Sequence, residues 1–363
     1  MSRARDLGSS INSTVAGKNL VFNGDMNISQ RGTTATSVTS DGYYVADRWL
    51  LQPSATGTWT VSKETDAPAG SGIATSLKVL CTTAQSSLSA NAFMQFNQHF
   101  EGQDLQKLKK GSSSAETTVL SFWVKSNVTG TYVARIYDAT NVRAIHQRYT
   151  ISSANTWEKK IWLIPGDTVG ALSNNTSTSL RITFWLAGGA TYNNSTPNTS
   201  WAGYDASITA GGQVNLASAV NNYFQFTGVQ WEIGSSPTQF SLGSGDIQGE
   251  LAKCQRYYQR MSGAGSGVIG SKNNATTTYF IVPLKVNMRS APSMASSAVG
   301  ELSLSALNGS TTYAATSFSS NRSSTWSASF GLGQGTSDGG TGDAGILLLD
   351  SGNGWIEFSS ELS

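Results

Sequence analysis

Residues 223–260 read YFQFTGVQWEIG, SSPTQFSLGSGDIQGE and LAKCQRYYQR in succession. The first piece alternates. Tyr223, Gln225, Thr227, Val229, Trp231 and Ile233 fall on one face, and Phe224, Phe226, Gly228, Gln230 and Glu232 on the other. A period of two over that length marks a β-strand, and apolar residues on both faces at its start indicate a strand covered on both sides. The Gly- and Ser-rich run from Gly234 to Gly245 then leaves the sheet. Asp246 is placed to cap a short helix through Glu250 and Leu251. A second alternation comes next, with Tyr257, Gln259 and Met261 against Arg256, Tyr258 and Arg260. The stretch reads as a joint between a large β-domain before it and a smaller one after it.

Upstream, short apolar runs recur between turn signals: NLVFNGDMNIS, YYVADRWLLQ, TWTVSK, SLKVLCTT, NAFMQFNQHF, TVLSFWVKS, TYVARIYDA, RAIHQRYTI, EKKIWLIP and SLRITFWLAG. In NAFMQFNQHF, Met94, Phe96 and Phe100 alternate against Gln95, Asn97 and His99. Residues 101–110 predict a short helix with Leu105 and Leu108 inward, ended by Gly111. About ten strands with one small helix predict an all-β fold whose main body is a large antiparallel jelly-roll sandwich. Charged residues make up only 13 % of the chain, against roughly 25 % in ordinary soluble domains. Such a surface is polar and hydrogen-bonding rather than ionic. A net charge of +2 gives no electrostatic case for nucleic acid or anionic membrane. No apolar run reaches the roughly 20 residues that a membrane-spanning helix needs.

Residues 1–20, carrying Arg3, Arg5 and Asp6, predict an extended arm or linker with no apolar stretch of signal-peptide kind. Residues 21–245 form the predicted jelly roll and 246–363 a smaller C-terminal β-sandwich, opened by the linking helix. There TTTYFIVPLKVNM carries an apolar face, with Pro283 marking an edge or a bulge. ILLLDSGNGWIEF predicts a closing hairpin, Ile346–Leu349 with Trp355–Phe358. Cys81 and Cys254 lie far apart in apolar contexts and are expected as buried free thiols.

Chemistry of the hydrolytic or redox kind needs converging titratable groups. His99 and His146 are the two histidines, neither at a metal-ligand spacing. No nucleophile elbow, zinc-protease helix or phosphate loop is present. A carboxylate pair such as Asp167 with Asp205 would have to be assembled by the fold. The loop SDGGTGDAG offers Asp338 and Asp343 as weak cation ligands, with Ala344 where a calcium repeat wants aspartate. The expectation is therefore a non-enzyme without cofactor or structural metal. Aromatics among Asn, Ser, Thr and Gly suit uncharged polar ligands, the ring covering a sugar's C–H face and the amides taking its hydroxyls. Two clusters fit. One is Tyr192, Asn193, Asn194, Trp201 and Tyr204 in the loop 188–212; the other is Tyr313, Asn321, Arg322 and Trp326.

MSRARDL, GKNLVFNGDMNISQRG, YYVADRWLL, TVLSFWVKSNVTGTYV, WEKKIWLIPGDT, FWLAGG, NYFQFTGVQWEIGSSPTQF and GELAKCQRYYQR occur in that order over residues 1–260. In this the chain resembles the tail-fibre and receptor-binding proteins of tailed bacteriophages. The resemblance implies a virion structural protein of the tail, made in the host cytoplasm, and a homotrimer. Its arm would hold other virion proteins. Its 21–245 domain would be a jelly roll like a carbohydrate-binding module, and its distal domain would grip host-surface polysaccharide without entering a membrane. A capsid or tail decoration protein without ligand and a polysaccharide depolymerase are the alternatives. The resemblance supplies no catalytic residues. On this reading host specificity is expected in residues 265–363.

Overall fold

A computed structural model describes residues 17–263, 267–306, 312–335, 342–349 and 353–362. Arg3, Arg5 and Asp6 lie outside the described residues, and so does Asp338. Contacts divide the chain into two compact bodies, one running to Leu251 and taking in Leu362, the other spanning Ala252–Glu361.

The first body holds β1 (Thr34–Val38), β2 (Gly42–Tyr43), β3 (Leu50–Ser54), β4 (Thr58–Glu64), β5 (Ser76–Thr83), β6 (Phe93–Glu101), β7 (Thr118–Ser126), β8 (Gly130–Asp138), β9 (Arg143–Ile151), β10 (Glu158–Ile164), β11 (Thr178–Gly188), β12 (Ala202–Gly203) and β13 (Tyr223–Ile233). They make two sheets, six strands in the order β1-β4-β5-β13-β7-β10 and seven in the order β12-β9-β8-β11-β6-β3-β2. β13 runs antiparallel to β5 on one side and β7 on the other. The expected alternation along β13 holds only to its middle. Gly228 takes φ +61 and the register with β7 shifts between Thr227 and Gln230. This bulge reverses the facing of the residues after it. Phe224, Phe226, Val229 and Trp231 therefore all enter one core, rather than two residues from each face.

That core is filled from both sheets. Phe226 meets Trp49 edge-on at 5.1 Å and Phe96 at 5.0 Å, while Phe184 meets Phe122 at 4.8 Å. Met94, Phe96 and Phe100 of β6 point inward as their spacing predicted. Residues 102–108 form a 3-10 helix that buries Leu105 and Leu108 and ends at Lys109 in the left-handed region. The predicted first strand is instead a chain of turns. Leu20, Phe22 and Met26 pack into the core, and the Leu20 amide donates to the Trp231 carbonyl (2.8 Å). The single described α-helix, α1 (Ile247–Gln255), is capped as expected by Asp246, whose Oδ1 accepts from Gly249 N (2.8 Å).

The second body holds β14 (Tyr258–Ser262), β15 (Val268–Asn274), β16 (Thr277–Pro283), β17 (Ser293–Ser296), β18 (Leu302–Ala306), β19 (Thr312–Ser323), β20 (Ser327–Gln334), β21 (Ala344–Leu349) and β22 (Trp355–Ser359). The all-β class holds, and the form of this body is a closed six-stranded barrel, β15-β16-β20-β19-β18-β21, beside a three-stranded sheet, β14-β22-β17. Phe280 and Phe330 stack at 5.5 Å inside it. The predicted closing hairpin does not form. β21 pairs with β15 and β18 in the barrel, while β22 pairs with β14 and β17. Leu347, Leu349, Ile356 and Phe358 still reach one core. Burial of those side chains is satisfied by strands in different sheets, so alternation on both sides of a turn did not fix their pairing. Pro283 is the last residue of β16, opposite Ser327, where the ladder ends. Cys81 and Cys254 are buried and not in a disulfide. No helix among the described residues is long and apolar enough to cross a membrane.

Candidate functional site

In the seven-stranded sheet the residues turned away from the core are mostly polar or aromatic, and pairing lines them up in rows. One row runs Gln52, Gln95, Trp185, Val133 across β3, β6, β11 and β8. The next runs Asn97, Thr183, Arg135, His146, and a third His99, Arg181, Tyr137. The loop between β11 and β13 folds back over these rows. It is pinned by the Ala210 amide on the Tyr192 carbonyl (2.8 Å), by Gly212 N on Asn193 Oδ1 (2.6 Å), and by β12 against β9. Gly211 is required in it, since a Cβ there would run into the Ser195 carbonyl.

Sheet and loop together enclose a cleft of about 310 Å³, lined by Gln52, Phe93, Gln95, Arg135, Tyr137, Arg181, Trp185, Tyr192 and Tyr204. Its aromatics form two groups. Phe93, Trp185 and Tyr192 lie 5.4–6.2 Å apart, and Tyr137 meets Tyr204 edge-on at 5.1 Å. The Arg135 guanidinium lies between them, 5.5 Å from the Trp185 ring, 5.4 Å from Tyr137 and 5.7 Å from Tyr204. Arg181 stands on the Tyr137 ring at 5.5 Å.

A directed hydrogen-bond chain underlies the cleft. Gln95 Nε2 and Asn97 Nδ2 both donate to Gln52 Oε1 (2.9 Å each), Thr183 Oγ1 donates to Asn97 Oδ1 (2.8 Å), and Arg135 Nη2 donates to Thr183 Oγ1 (3.2 Å). Against this order, Gln95 Oε1, Arg135 Nε, Arg181 Nε, Trp185 Nε1 and both His99 ring nitrogens have no hydrogen-bond partner among the described residues. Buried polar atoms are nearly always paired, so several partnerless donors and an acceptor on one face of one sheet call for an explanation. These atoms are out of contact with bulk water, so a partner reaches them only from within the cleft, as a bound water or a ligand group.

Burial, with Arg181 nearby and Tyr204 opposing, lowers the Arg135 pKa to about 10, so the group remains cationic at neutral pH. Burial first, then Arg181, Arg48 and Arg135, holds His99 well below its usual value. Burial and then Arg135 take His146 down to about 4, against the Asn198 backbone. On acidification from about pH 6.5 the unfolded chain takes up protons that the folded one refuses, so stability falls down to the folded value. For His146 the loss should approach roughly 3 kcal/mol between pH 6.5 and 4. Urea midpoints across that range, compared with those of His146→Gln, would show it as a shallower slope in the variant. Equal slopes would remove His146 from the account.

The predicted residues fare differently. Tyr192 and Tyr204 line the cleft. Asn193 braces the loop, and Asn194 is exposed, its amide donating to the Ser207 carbonyl (3.0 Å). Trp201 faces another way: its Nε1 donates to the Pro165 carbonyl (2.8 Å) and Lys110 lies 5.4 Å from its ring. In the second body, Trp326 is 64 % exposed on the turn from β19 to β20, near Asn321 and Arg322. Tyr313 is the second residue of β19, nine residues from Arg322 and so roughly 30 Å away along an extended strand. The fold does not gather that cluster. Asp167 is held by Lys110 (3.0 Å) and by Arg143 (2.8 Å), and Asp205 caps a 3-10 turn by accepting from Ser207 N (2.8 Å). Neither carboxylate is among the cleft's lining residues. The Asp343 carbonyl accepts from Lys272 N (2.8 Å), and no group of three His, Cys, Asp or Glu among the described residues is placed to hold a metal.

No family model and no curated protein matches the sequence. Among solved structures, the chain is similar to the enzymatically active domain of tailspike protein 4 of bacteriophage CBA120. There the TM-score is 0.32 and the identity 14 %, over 60 % of this chain and 21 % of that one, so the match spans about a fifth of the tailspike chain. It is also similar to a CBM4 structure, with a TM-score of 0.30 and 14 % identity over 58 % of this chain and 98 % of that one. A family 11 carbohydrate-binding module of a Clostridium thermocellum cellulosomal cellulase gives 0.26 and 12 %, over 56 % and 97 %. The chain is an all-β protein with distant structural similarity to carbohydrate-binding β-sandwich modules and to a phage tailspike domain.

Proposed function

We propose that this chain binds glycan in the cleft of its seven-stranded sheet, and that it does so as a tail-fibre or receptor-binding subunit of a tailed phage. The observation that carries the glycan reading is the convergence there of aromatic rings with buried, partnerless hydrogen-bonding groups. Tyr204 and the half-buried Tyr137 and Tyr192 offer ring faces for a sugar's C–H surface, and the half-buried Gln52 amide stands among them to meet its hydroxyls. The phage assignment rests on the ordered stretches over residues 1–260. In that setting several copies would engage a cell surface at once, turning weak contacts into firm adhesion. The chain holds glycan without cutting it, consistent with Asp167 and Asp205 each being committed to structural partners.

Host specificity then lies in the first body, where the cleft is, rather than in residues 265–363. Exchange of residues 21–245 between relatives should transfer host range, and transfer with 265–363 instead would return specificity to the second body. Tyr204 is 36 % exposed and touches Arg135 and Tyr137. Tyr204→Ala should therefore fold normally and weaken binding to host envelope polysaccharide about tenfold or more in affinity electrophoresis. Unchanged retardation sinks the cleft as the binding site, and new reducing ends released by the wild type would make it an enzyme.

A further inference from the structure

The cleft holds two cations and no anion. Arg135 is 94 % buried by its 6 % exposure, and its charge is matched by no carboxylate. Its hydrogen-bond partners are the neutral hydroxyls of Thr183 and Tyr204, and the faces around it are aromatic. Arg181 shares the Tyr137 ring with it, 5.5 Å from the centroid against 5.4 Å, and likewise makes no ion pair among the described residues. Each guanidinium keeps an Nε–H without a partner. Two like charges brought together and partly desolvated raise one another's energy, and ring faces soften that without neutralising it. Guanidinium forks fit planar two-oxygen anions better than any neutral hydroxyl.

We infer that the ligand of this cleft is an acidic glycan whose negatively charged group, a carboxylate or a sulfate ester, seats on Arg135 and Arg181 while the aromatics and glutamines take the sugar rings. The inference rests on the cleft being a glycan site and adds the charge of the ligand. The carboxylate is the closer geometric match, because one guanidinium edge presents two parallel N–H groups to its two oxygens. The chain's net charge of +2 is too small to produce such a preference over the whole surface.

Affinity electrophoresis of the whole chain tests this with polygalacturonate against its methyl ester, and dextran sulfate against dextran. Each pair keeps the backbone and changes the charge. The expected result is binding to an acidic member about tenfold or more tighter than to its neutral partner. Arg181→Gln should abolish that preference, Arg181→Lys should restore part of it, and Lys159→Gln, which removes an exposed charge on β10, should leave it unchanged. The pair that shows the preference separates carboxylate from sulfate. Equal binding of acidic and neutral members, unaffected by Arg181→Gln but weakened by Tyr204→Ala, would overturn the acidic ligand and leave the glycan site standing. Equal loss of preference in Lys159→Gln would reduce the effect to bulk charge and overturn it too. Retention of no polymer, or equal retention by Tyr204→Ala, would take down both readings. Circular dichroism of each variant keeps loss of fold separate from loss of contact.

Discussion

Phe226→Ala should destabilise the first body by about 3–5 kcal/mol, the usual range for emptying an aromatic-sized space in a closed core. Phe226 is fully buried and is the ring on which both sheets converge, within 5.0–5.7 Å of Phe96, Trp49, Phe184 and Phe224. Its neighbours are themselves bulky rings pinned by strands on both sides, so collapse into the hole is poor and the cost should lie at the upper end. For a body of this size the midpoint of thermal unfolding should drop by about 10 °C or more. Phe226→Leu, which keeps most of the volume, should lose about half as much or less. A fall below about 1 kcal/mol for the alanine variant would mean that the two sheets do not meet through this ring.

Lys110→Ala should cost about as much by a different route. The Lys110 ammonium reaches Asp138 Oδ2 at 2.5 Å and Asp167 Oδ2 at 3.0 Å, and donates to the Val169 and Gly170 carbonyls at 3.0 and 2.9 Å. Its side chain and those of both aspartates are almost wholly out of water. Removing the ammonium leaves Asp138 with its two Asn141 hydrogen bonds and no direct ion pair, and Asp167 with Arg143 alone. Breaking a buried pair in this way typically costs about 3–5 kcal/mol. The variant should also lose less of its stability on acidification, because Lys110 is part of what holds the Asp167 pKa down. Burial raises the Asp167 pKa, but Arg143 and Lys110 outweigh it and hold the group below the ordinary carboxylate value. A lowered folded pKa gives stability that is present above the unfolded value near 3.8 and lost as pH falls below it. Adding Asp138→Asn to Lys110→Ala should recover part of the loss, measurable by urea unfolding at pH 7. If the double variant is no better than the single one, desolvation of Asp138 is not the cause.

The parts of this architecture legible in the sequence are those set by simple alternation. Met94, Phe96 and Phe100 opposite Gln95, Asn97 and His99 already gave the inward and outward faces of β6. Asp246 ahead of Glu250 and Leu251 gave the start of α1. What failed was whatever depended on a local break or on a distant partner. One left-handed glycine, Gly228, redirects half of β13, and a period-two count has no means of seeing it. The hairpin from Ile346 to Phe358 satisfied every local rule, yet burial of the same side chains is met by strands of another sheet.

The cleft was half legible for the same reason. Loop aromatics draw attention, and Tyr192 and Tyr204 do line it, but Trp201 is taken up by the Pro165 carbonyl and Lys110. The floor of the cleft comes from outward positions of strands: Arg135 and Tyr137 in TYVARIYDA, Arg181 and Trp185 in SLRITFWLAG. A signal was present, since arginines and large aromatics are unusual choices for outward positions on interior strands. That β6, β8 and β11 are neighbours, however, is a fact of topology that no single strand encodes.

The barrel of the second body returns to its own first strand, since β15 pairs with both β16 and β21. Such a ring has no rim where a foreign backbone can add itself, so a sister subunit cannot join by lending a segment of main chain to it. Any association there must work through side chains on its outer wall, where Ile269 and Ile281 stand 68 % and 70 % exposed. Contacts of that kind can be altered residue by residue while the ring beneath them stays as it is.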